Sequence, residues 1–432
     1  MFVFNKRDEI ESERGFFMAQ EHAGTASVRL FSKAWFEKIL NNEATSGLVM
    51  IFAMIAAIVC ANTAAHEPVH HFLQTTITLG VGEVMFSKSI EWWVNDALMV
   101  FFFLSVGLEL KREMKEGFLS DIRQVFVPCV AAVGGICCPA ILYALINHSS
   151  SEYMHGWAIP TATDIAFALC VLMLVGRSIP QAAKIFLLAI AIFDDLGAIL
   201  IIALFYNQGV HLSLLGYACI ATFALYVLNK MRVTNFLPYL LFGVVLWYCF
   251  LNGGIHTTIA GVVVAMAYPM RVEGERESPL NHLMKLLKPW VDFFILPVFA
   301  FASAGLYLGG VTPETFTHTL TLGIIFGLFF GKQIGIFMAT WGLVKLKIAS
   351  FPKSVTMLDL YGVAVVAGIG FTMALFVGKL ALPGEEMQQE IRLGVICGSV
   401  ISALWGAVVF RYGRPLKRWF MVHVLKKENA PL

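Results

Sequence analysis

Long apolar runs, interrupted by polar or Gly/Pro-rich breaks, dominate the chain. As helices, runs of roughly 20 residues match the thickness of a bilayer's hydrocarbon core. They are continuously apolar, whereas barrel strands alternate polar and apolar positions, so helices are expected. The breaks predict twelve spans, near residues 43–62, 92–112, 124–146, 156–175, 181–206, 212–229, 236–251, 254–269, 285–305, 320–343, 359–382 and 391–412. Lys and Arg support the same count. They cluster in alternate connections and in both tails, while 147–155, 207–211, 252–255 and 306–319 have none. Only Lys88, Lys332, Lys379 and Arg392 lie outside the basic side. The positive-inside rule then places both termini in the cytoplasm, which requires an even number of spans.

Two stretches are not spans. Residues 28–42 put Phe31, Trp35 and Ile39 on one stripe, with Arg29, Lys33 and Lys38 elsewhere. That pattern predicts an interfacial helix on the inner leaflet, or a solvated helix leading into the first span. Residues 75–88 alternate Ile77, Leu79, Val81 and then Val84, Phe86 about a Gly-containing turn. They predict a short outer β-hairpin whose open edge is able to pair with a second copy. The expected fold is an all-α polytopic membrane protein with one small hairpin. It divides into an N-terminal tail with its interfacial helix (1–42), a transmembrane domain (43–412) and a C-terminal tail (413–432).

Composition agrees with this pattern. The chain has 432 residues, 58% hydrophobic and 14% charged, with mean hydropathy +0.75. That is the profile of a membrane protein rather than a soluble domain. With 31 Lys+Arg against 29 Asp+Glu there is no electrostatic footprint for nucleic acid. Cys60, Cys129, Cys137, Cys138, Cys170, Cys219, Cys249 and Cys397 all fall in apolar runs, as small core side chains do; disulfide or metal frameworks sit in polar loops. The N-terminal residues carry charges of both signs and no apolar core, so no cleavable signal is expected there.

The most informative feature lies inside the fifth span, KIFLLAIAIFDDLGAILIIALFY, where Asp194 and Asp195 sit near mid-bilayer. A charge at that depth costs roughly 2.5–3.5 kcal/mol, so adjacent acids point to a site where ions or protons bind on their way across. Static buried ion pairs are the competing explanation, and such pairs seldom stabilise a fold relative to apolar replacements. Other intramembrane acids are Asp96, Asp164, Asp292 and Asp359, and only one lysine, Lys332, lies near the middle of a span. Neighbours on a helix point about 100° apart. One aspartate is therefore expected to face an aqueous cavity as an ion ligand, and the other to lean on a neighbouring helix where Lys332 neutralises it.

Two spans make poor helices at their centres. The fourth, WAIPTATDIAFALC, carries Pro160, Thr161, Thr163 and Asp164; the eleventh, VVAGIGFTMALF, carries Gly368, Gly370 and Thr372. Interrupted backbone at membrane depth is tolerated only inside protein or beside a cavity, and paired interruptions in the two halves of a transporter mark its binding site. If both helices break and meet, Asp164 would offset the positive N-terminal ends and Lys332 the negative C-terminal ends. Close helix packing is the alternative reading of the glycines. His256, at the outer start of span eight, is either a satisfied structural histidine or a pH-sensitive one. Glu109, Arg112 and Glu113 end span two on the basic side, as a surface ion-pair cluster or as a pH-responsive network at the mouth of a funnel.

These segments, with VNDALMVFFFLSVGLELKRE, GGIHTTIAG, ILPVFAFASAG, GIIFGLFFGKQIGI and AGIGFTMALFV, resemble the NhaA family of bacterial Na⁺/H⁺ antiporters, in order over roughly 43–412. The resemblance implies an electrogenic antiporter of the bacterial inner membrane, which extrudes Na⁺ or Li⁺ against protons and serves pH and sodium homeostasis. It implies inverted repeats with spans four and eleven broken and crossing, no cofactor, and a homodimer joined through the hairpin. Asp194 and Asp195, with Thr163, would hold the transported ion; Asp164 and Lys332 would compensate charge and couple protons; and Glu109, Arg112, Glu113, His256 and Asp96 are gating candidates. Two positions depart from the family pattern. Met284 stands where a pH-sensing glutamate is expected, and Ser303 where asparagine is more usual. The 30 or so residues before the interfacial helix have no counterpart in the family.

The expected mechanism is competition at one site between protons and a hard cation that needs ionised oxygen ligands, with access alternating between the two sides. An intramembrane aspartyl protease also uses two buried aspartates, but on separate helices rather than side by side. A proton-coupled organic-anion carrier and a passive cation channel are the remaining alternatives.

Overall fold

A computed structural model describes residues 43–81, 84–117, 122–175, 179–207, 209, 211–272, 278–348 and 355–423. The proposed interfacial helix at 28–42 lies outside the described residues. The chain is mostly helical. Among the described residues, eight helices are long and apolar enough to cross a membrane, or eleven when each bent pair is counted as one span. Span eight is the exception to the expected twelve: its helix, Thr258–Ala267, has only ten residues.

The first span is α1 (Glu43–Ala61), after which the chain turns through 109° into the short α2 (His66–Gln74). Strands β1 (Thr76–Val81) and β2 (Val84–Ser89) form the expected hairpin, antiparallel from Thr76 opposite Ser89 to Val81 opposite Val84. The long α3 (Ile90–Glu116) follows directly, its first turn capped by the Ser89 hydroxyl. Next come α4 (Ile122–Asn147), a 3-10 segment (Tyr153–Thr161) with α5 (Ile165–Val175), α6 (Gln181–Phe205), α7 (Leu212–Lys230), α8 (Phe236–Gly253) and α9 (Thr258–Ala267). The remainder is α10 (residues 279–303), α11 (Pro313–Thr317), α12 (Thr319–Lys345), α13 (Met357–Val366), α14 (Phe371–Ala381) and α15 (Glu385–His423). The last helix runs well past the expected end of its span at residue 412.

Two packed groups emerge. In one, α3 lies on α9, and α7, α8 and the start of α10 join them around Leu108, Leu225, Tyr239 and Leu246. In the other, α4, α6, α12, α13, α14 and α15 enclose the larger core. Helix α1 packs on α5 and on the later part of α10, within the larger core. Apolar side chains also face outward: Phe52 is 73% exposed, Leu204 73% and Leu212 83%, as expected of surfaces solvated by lipid.

Glycines let helices approach closely. A Cβ on Gly335 of α12 would lie 2.1 Å from the Gly134 carbonyl oxygen of α4, and one on Gly134 would lie 2.4 Å from the Gly335 carbonyl. Small residues let backbones touch where apolar lipid offers helices no hydrophobic drive to associate. Leucine at Gly335 must push α4 and α12 apart, whereas Gly342 on the same helix has open space around it. Gly335→Leu is expected to cost about 1–3 kcal/mol, read as a lower melting temperature in detergent, while Gly342→Leu leaves melting nearly unchanged.

Candidate functional site

The two interrupted spans meet. The 3-10 segment and α5 are bent by 43° at their break, and α13 and α14 by 46°. The Asp164 amide at one break donates to the Ile369 carbonyl at the other, 2.7 Å away, so each supplies a partner that the other's broken ladder lacks.

Asp164, 2% exposed, caps both half-helices that start there. Its Oδ1 accepts from the Phe167 amide of α5 at 3.0 Å. Its Oδ2 accepts from the Thr372 amide of α14 at 3.1 Å and the Thr372 hydroxyl at 2.5 Å. A carboxylate at two helix N-termini satisfies orphan donors and the partial positive charge together. Thr372 completes this arrangement, and Ser399 of α15 accepts the Phe371 amide at 3.1 Å. In the sequence Thr372 stood out only as a polar residue in a glycine-rich break; Ser399 gave no signal.

Asp194 and Asp195 lie mid-helix on α6, 1% and 5% exposed. Lys332 of α12, 0% exposed, donates from Nζ to Asp194 Oδ2 at 2.6 Å. The Thr163 hydroxyl lies 2.7 Å from the same oxygen and 2.8 Å from the Ala367 carbonyl, and its single proton serves one of them at a time. Asp194 Oδ1 has no hydrogen-bond partner among the described residues. Asp195 makes no ion pair or hydrogen bond among them, though Asp194, Asp164, Lys332 and Glu109 are close enough to act on it electrostatically. The neighbouring acids differ in their contacts: Asp194 is tied to Lys332 and Asp195 is not. Lys332 thus neutralises an aspartate, and its hydrogen bond among the described residues is to Asp194 Oδ2. A π turn, Gly327–Gly331, directly precedes Lys332 and shifts the helix register just before it.

The gating candidates fall into two places. Glu109, Arg112 and Glu113 sit together near the end of α3, with Arg112 Nη2 3.7 Å from Glu109 and 2.9 Å from Glu113. Arg271 pairs with Glu116 at 2.5 Å beside them. Asp96 and His256 are instead near the hairpin end. Asp96, in the π turn Val94–Leu98, accepts from Thr257 at 2.6 Å and Trp247 at 3.1 Å. His256 Nδ1 lies 3.1 Å from the Thr258 hydroxyl. The remaining intramembrane acids have local roles: Asp359 forms a capping box with Thr356 at the start of α13, and Asp292 lies 3.3 Å from Lys288. Ser303 donates to Asn95 Oδ1 at 3.1 Å. The cysteines described are all free thiols.

Chemically, two carboxylates, a lysine, a threonine hydroxyl and the carbonyl ends of broken helices converge in a place without water's solvation. Such a set suits a proton or a hard monovalent cation held by oxygen. Comparison with known proteins points the same way. Residues 37–410 match the family model described as Na⁺/H⁺ antiporter 1. A protein of Syntrophotalea carbinolica named Na(+)/H(+) antiporter NhaA 1 is 48% identical over 369 residues, which span 85% of this chain and 93% of that protein. The Na(+)/H(+) antiporter NhaA of Proteus mirabilis is 46% identical over 85% of this chain and 94% of its own. Na(+)/H(+) antiporter NhaA 2 of Saccharophagus degradans is 45% identical over 87% and 99%. Proteins so named are transporters rather than enzymes.

Lys332→Ala leaves the Asp194 carboxylate buried without its counter-charge. Removing one member of a buried pair typically costs about 3–5 kcal/mol, so the variant is expected to melt at a clearly lower temperature. Asp194→Asn combined with Lys332→Gln should recover most of that loss. An unchanged melting profile for Lys332→Ala would contradict the pairing.

Proposed function

Because this chain belongs to the NhaA family of Na⁺/H⁺ antiporters, we propose that it extrudes Na⁺, and Li⁺ in its place, in electrogenic exchange for protons at Asp194 and Asp195. It is a multi-pass membrane protein. The proposed setting is the bacterial inner membrane, with both termini and the Glu109–Arg112–Glu113 cluster on the cytoplasmic side and the hairpin outside. In the cell this exchange would serve pH and sodium homeostasis.

The observation that carries the reading is the asymmetry of the pair: Asp194 is held by Lys332 and Thr163, and Asp195 beside it has no direct partner among the described residues. An ionised carboxylate buried without a partner is costly, so Asp195 holds either a proton or a cation. Na⁺ needs the ionised form; a proton removes it; the two exclude each other. Na⁺ entering between the acids would draw on both carboxylates and on oxygens already present, the Thr163 hydroxyl among them. It would compete with Lys332 for Asp194, and the Thr163 proton is free to turn to the Ala367 carbonyl when Asp194 no longer needs it. If the empty, ionised site switches sides poorly, every Na⁺ outward is matched by protons inward. With more protons moving than Na⁺, the membrane potential drives extrusion.

Alternating access would come from the α4–α6–α12–α15 group moving against the α3–α7–α8–α9 group, as inverted-repeat transporters do. The broken spans, capped by Asp164, would move as one unit with the site. The hairpin, whose strands leave free edges, is the proposed contact of a homodimer. The tail at 1–42 and the end of the chain would lie in the cytoplasm and at its surface. Glu109, Arg112 and Glu113 at one mouth, and Asp96 and His256 towards the other, are proposed to tune access with pH. Met284 in place of an acid implies a weaker alkaline activation than the family resemblance would suggest.

The test uses everted vesicles from cells lacking other antiporters, in which respiration builds a proton gradient reported by a quenched dye. Na⁺ and Li⁺, but not K⁺, are expected to restore fluorescence, and Asp195→Asn is expected to abolish the response while still inserting in the membrane. Full activity in Asp195→Asn would remove that residue from the site. A response that requires an organic anion would favour a carrier of another substrate.

A further inference from the structure

Lys379 and Arg392 are two of the four basic residues that the charge asymmetry leaves off the basic side, and the ion site uses neither. The structure puts both on the wall of a cavity of about 560 Å³ at the hairpin end, lined also by Glu91, Asn95, Asp96 and His256. Lys379, on α14, donates to Glu91 Oε1, on the first turn of α3. The other carboxylate oxygen, Oε2, accepts from Gln74 of α2 at 2.9 Å. Arg392, on α15, donates to the Gly305 carbonyl just beyond α10 at 2.9 Å. Across this cavity, then, α2, α3 and the end of α10 are tied to α14 and α15.

Helix α14 connects this tie to the ion site. It begins at the break, where Thr372 holds Asp164, and reaches Lys379 about two turns later. One turn before Lys379 it presents Phe376, 2% exposed. The Phe376 ring packs against Phe103 of α3 at 5.5 Å, Phe299 of α10 at 6.1 Å and His256 at 6.0 Å, between centroids. Phe376 and His256 line the cavity; Asp194 and Asp195 do not. These rings close the floor. Any movement that opens the site toward the cavity must draw Phe376 out of that cluster, and Lys379 travels on the same helix.

We propose that the Glu91–Lys379 pair is the latch of the ion pathway on the hairpin side. While it is made, Phe376 stays wedged among Phe103, Phe299 and His256; it parts each time the site opens to that side. The proposal rests on the antiport reading for the pathway it closes. Lys379 acts through Phe376 and touches no transported ion, so it is a positioning residue.

A readout independent of transport tests it. Met99, 0% exposed, lies on α3 about one turn from the cavity-lining Asn95 and about one turn from Phe103, beneath the floor. All eight native cysteines are first replaced, because Cys60 itself lines the cavity. Met99→Cys is then labelled in right-side-out vesicles with a membrane-impermeant maleimide. Labelling is expected to be slow with the latch intact and several-fold faster with Lys379→Met or Glu91→Gln. It should slow again in the charge exchange Glu91→Lys with Lys379→Glu. The same variants should lower the Na⁺ concentration for half-maximal exchange from the hairpin face several-fold, without lowering it from the opposite face. A merely loosened fold would label fast in the exchanged pair as well and shift both faces alike. Labelling rates unaffected by Lys379→Met would overturn the latch. Faster labelling in a protein that moves no protons with Na⁺ would keep the latch and overturn the antiport reading.

Discussion

The apolar slab around this chain solvates neither charge nor broken backbone, and the arrangement of the site follows from that constraint. Two spans give up their helical ladders at mid-membrane, leaving orphan amides and carbonyls that must be satisfied within the protein. Asp164 answers for two helix starts with one carboxylate, taking amides from Phe167 and Thr372. Its own amide reaches across to Ile369. Each break supplies partners to the other, so the two interrupted spans hold one another where they meet, although neither has a continuous helix there. A rigid, polar, water-poor point is what a cation or proton site requires.

Against this frame of satisfied groups, the carboxylates of α6 are unusual. Asp194 is provided for by Lys332 and Thr163 through one oxygen, with the other left unpaired, and Asp195 has no direct partner among the described residues. Natural proteins break local rules at functional sites and compensate elsewhere. Here the compensation is the Lys332 ammonium, placed immediately after a π turn that adjusts its register.

Much of this was legible in the chain because membrane chemistry leaves few explanations for an acid in an apolar run. Asp194, Asp195, Asp164 and Lys332 are conspicuous in sequence for that reason, and the breaks show as Pro160 and the Gly368–Gly370 pair. The hairpin shows in its alternation. What stayed hidden depends on three-dimensional meeting. The sequence suggests that Lys332 neutralises one of the two acids, but nothing in it brings Thr372 to Asp164 from 208 residues away. The π turns leave no periodicity to read, and the short α9 reads as a longer span because Ile255 before it and Tyr268 and Met270 after it extend its apolar run. Glu109 and Asp96 sit on one helix, 13 residues or roughly 20 Å apart, so residues grouped as gating candidates divide between opposite ends. Lys379 and Arg392 were exceptions to the charge pattern until the structure placed Glu91 opposite them.

The central claim is that Na⁺ and protons compete for the same carboxylates. The most direct test adds NaCl to the purified protein in weakly buffered detergent, with a pH indicator following released protons and calorimetry following bound Na⁺. Competition predicts that protons leave in proportion to the Na⁺ bound, and that equivalent KCl releases none. Saturable Na⁺ binding with no proton release would contradict it, because the ion would then occupy a site that the protons do not share.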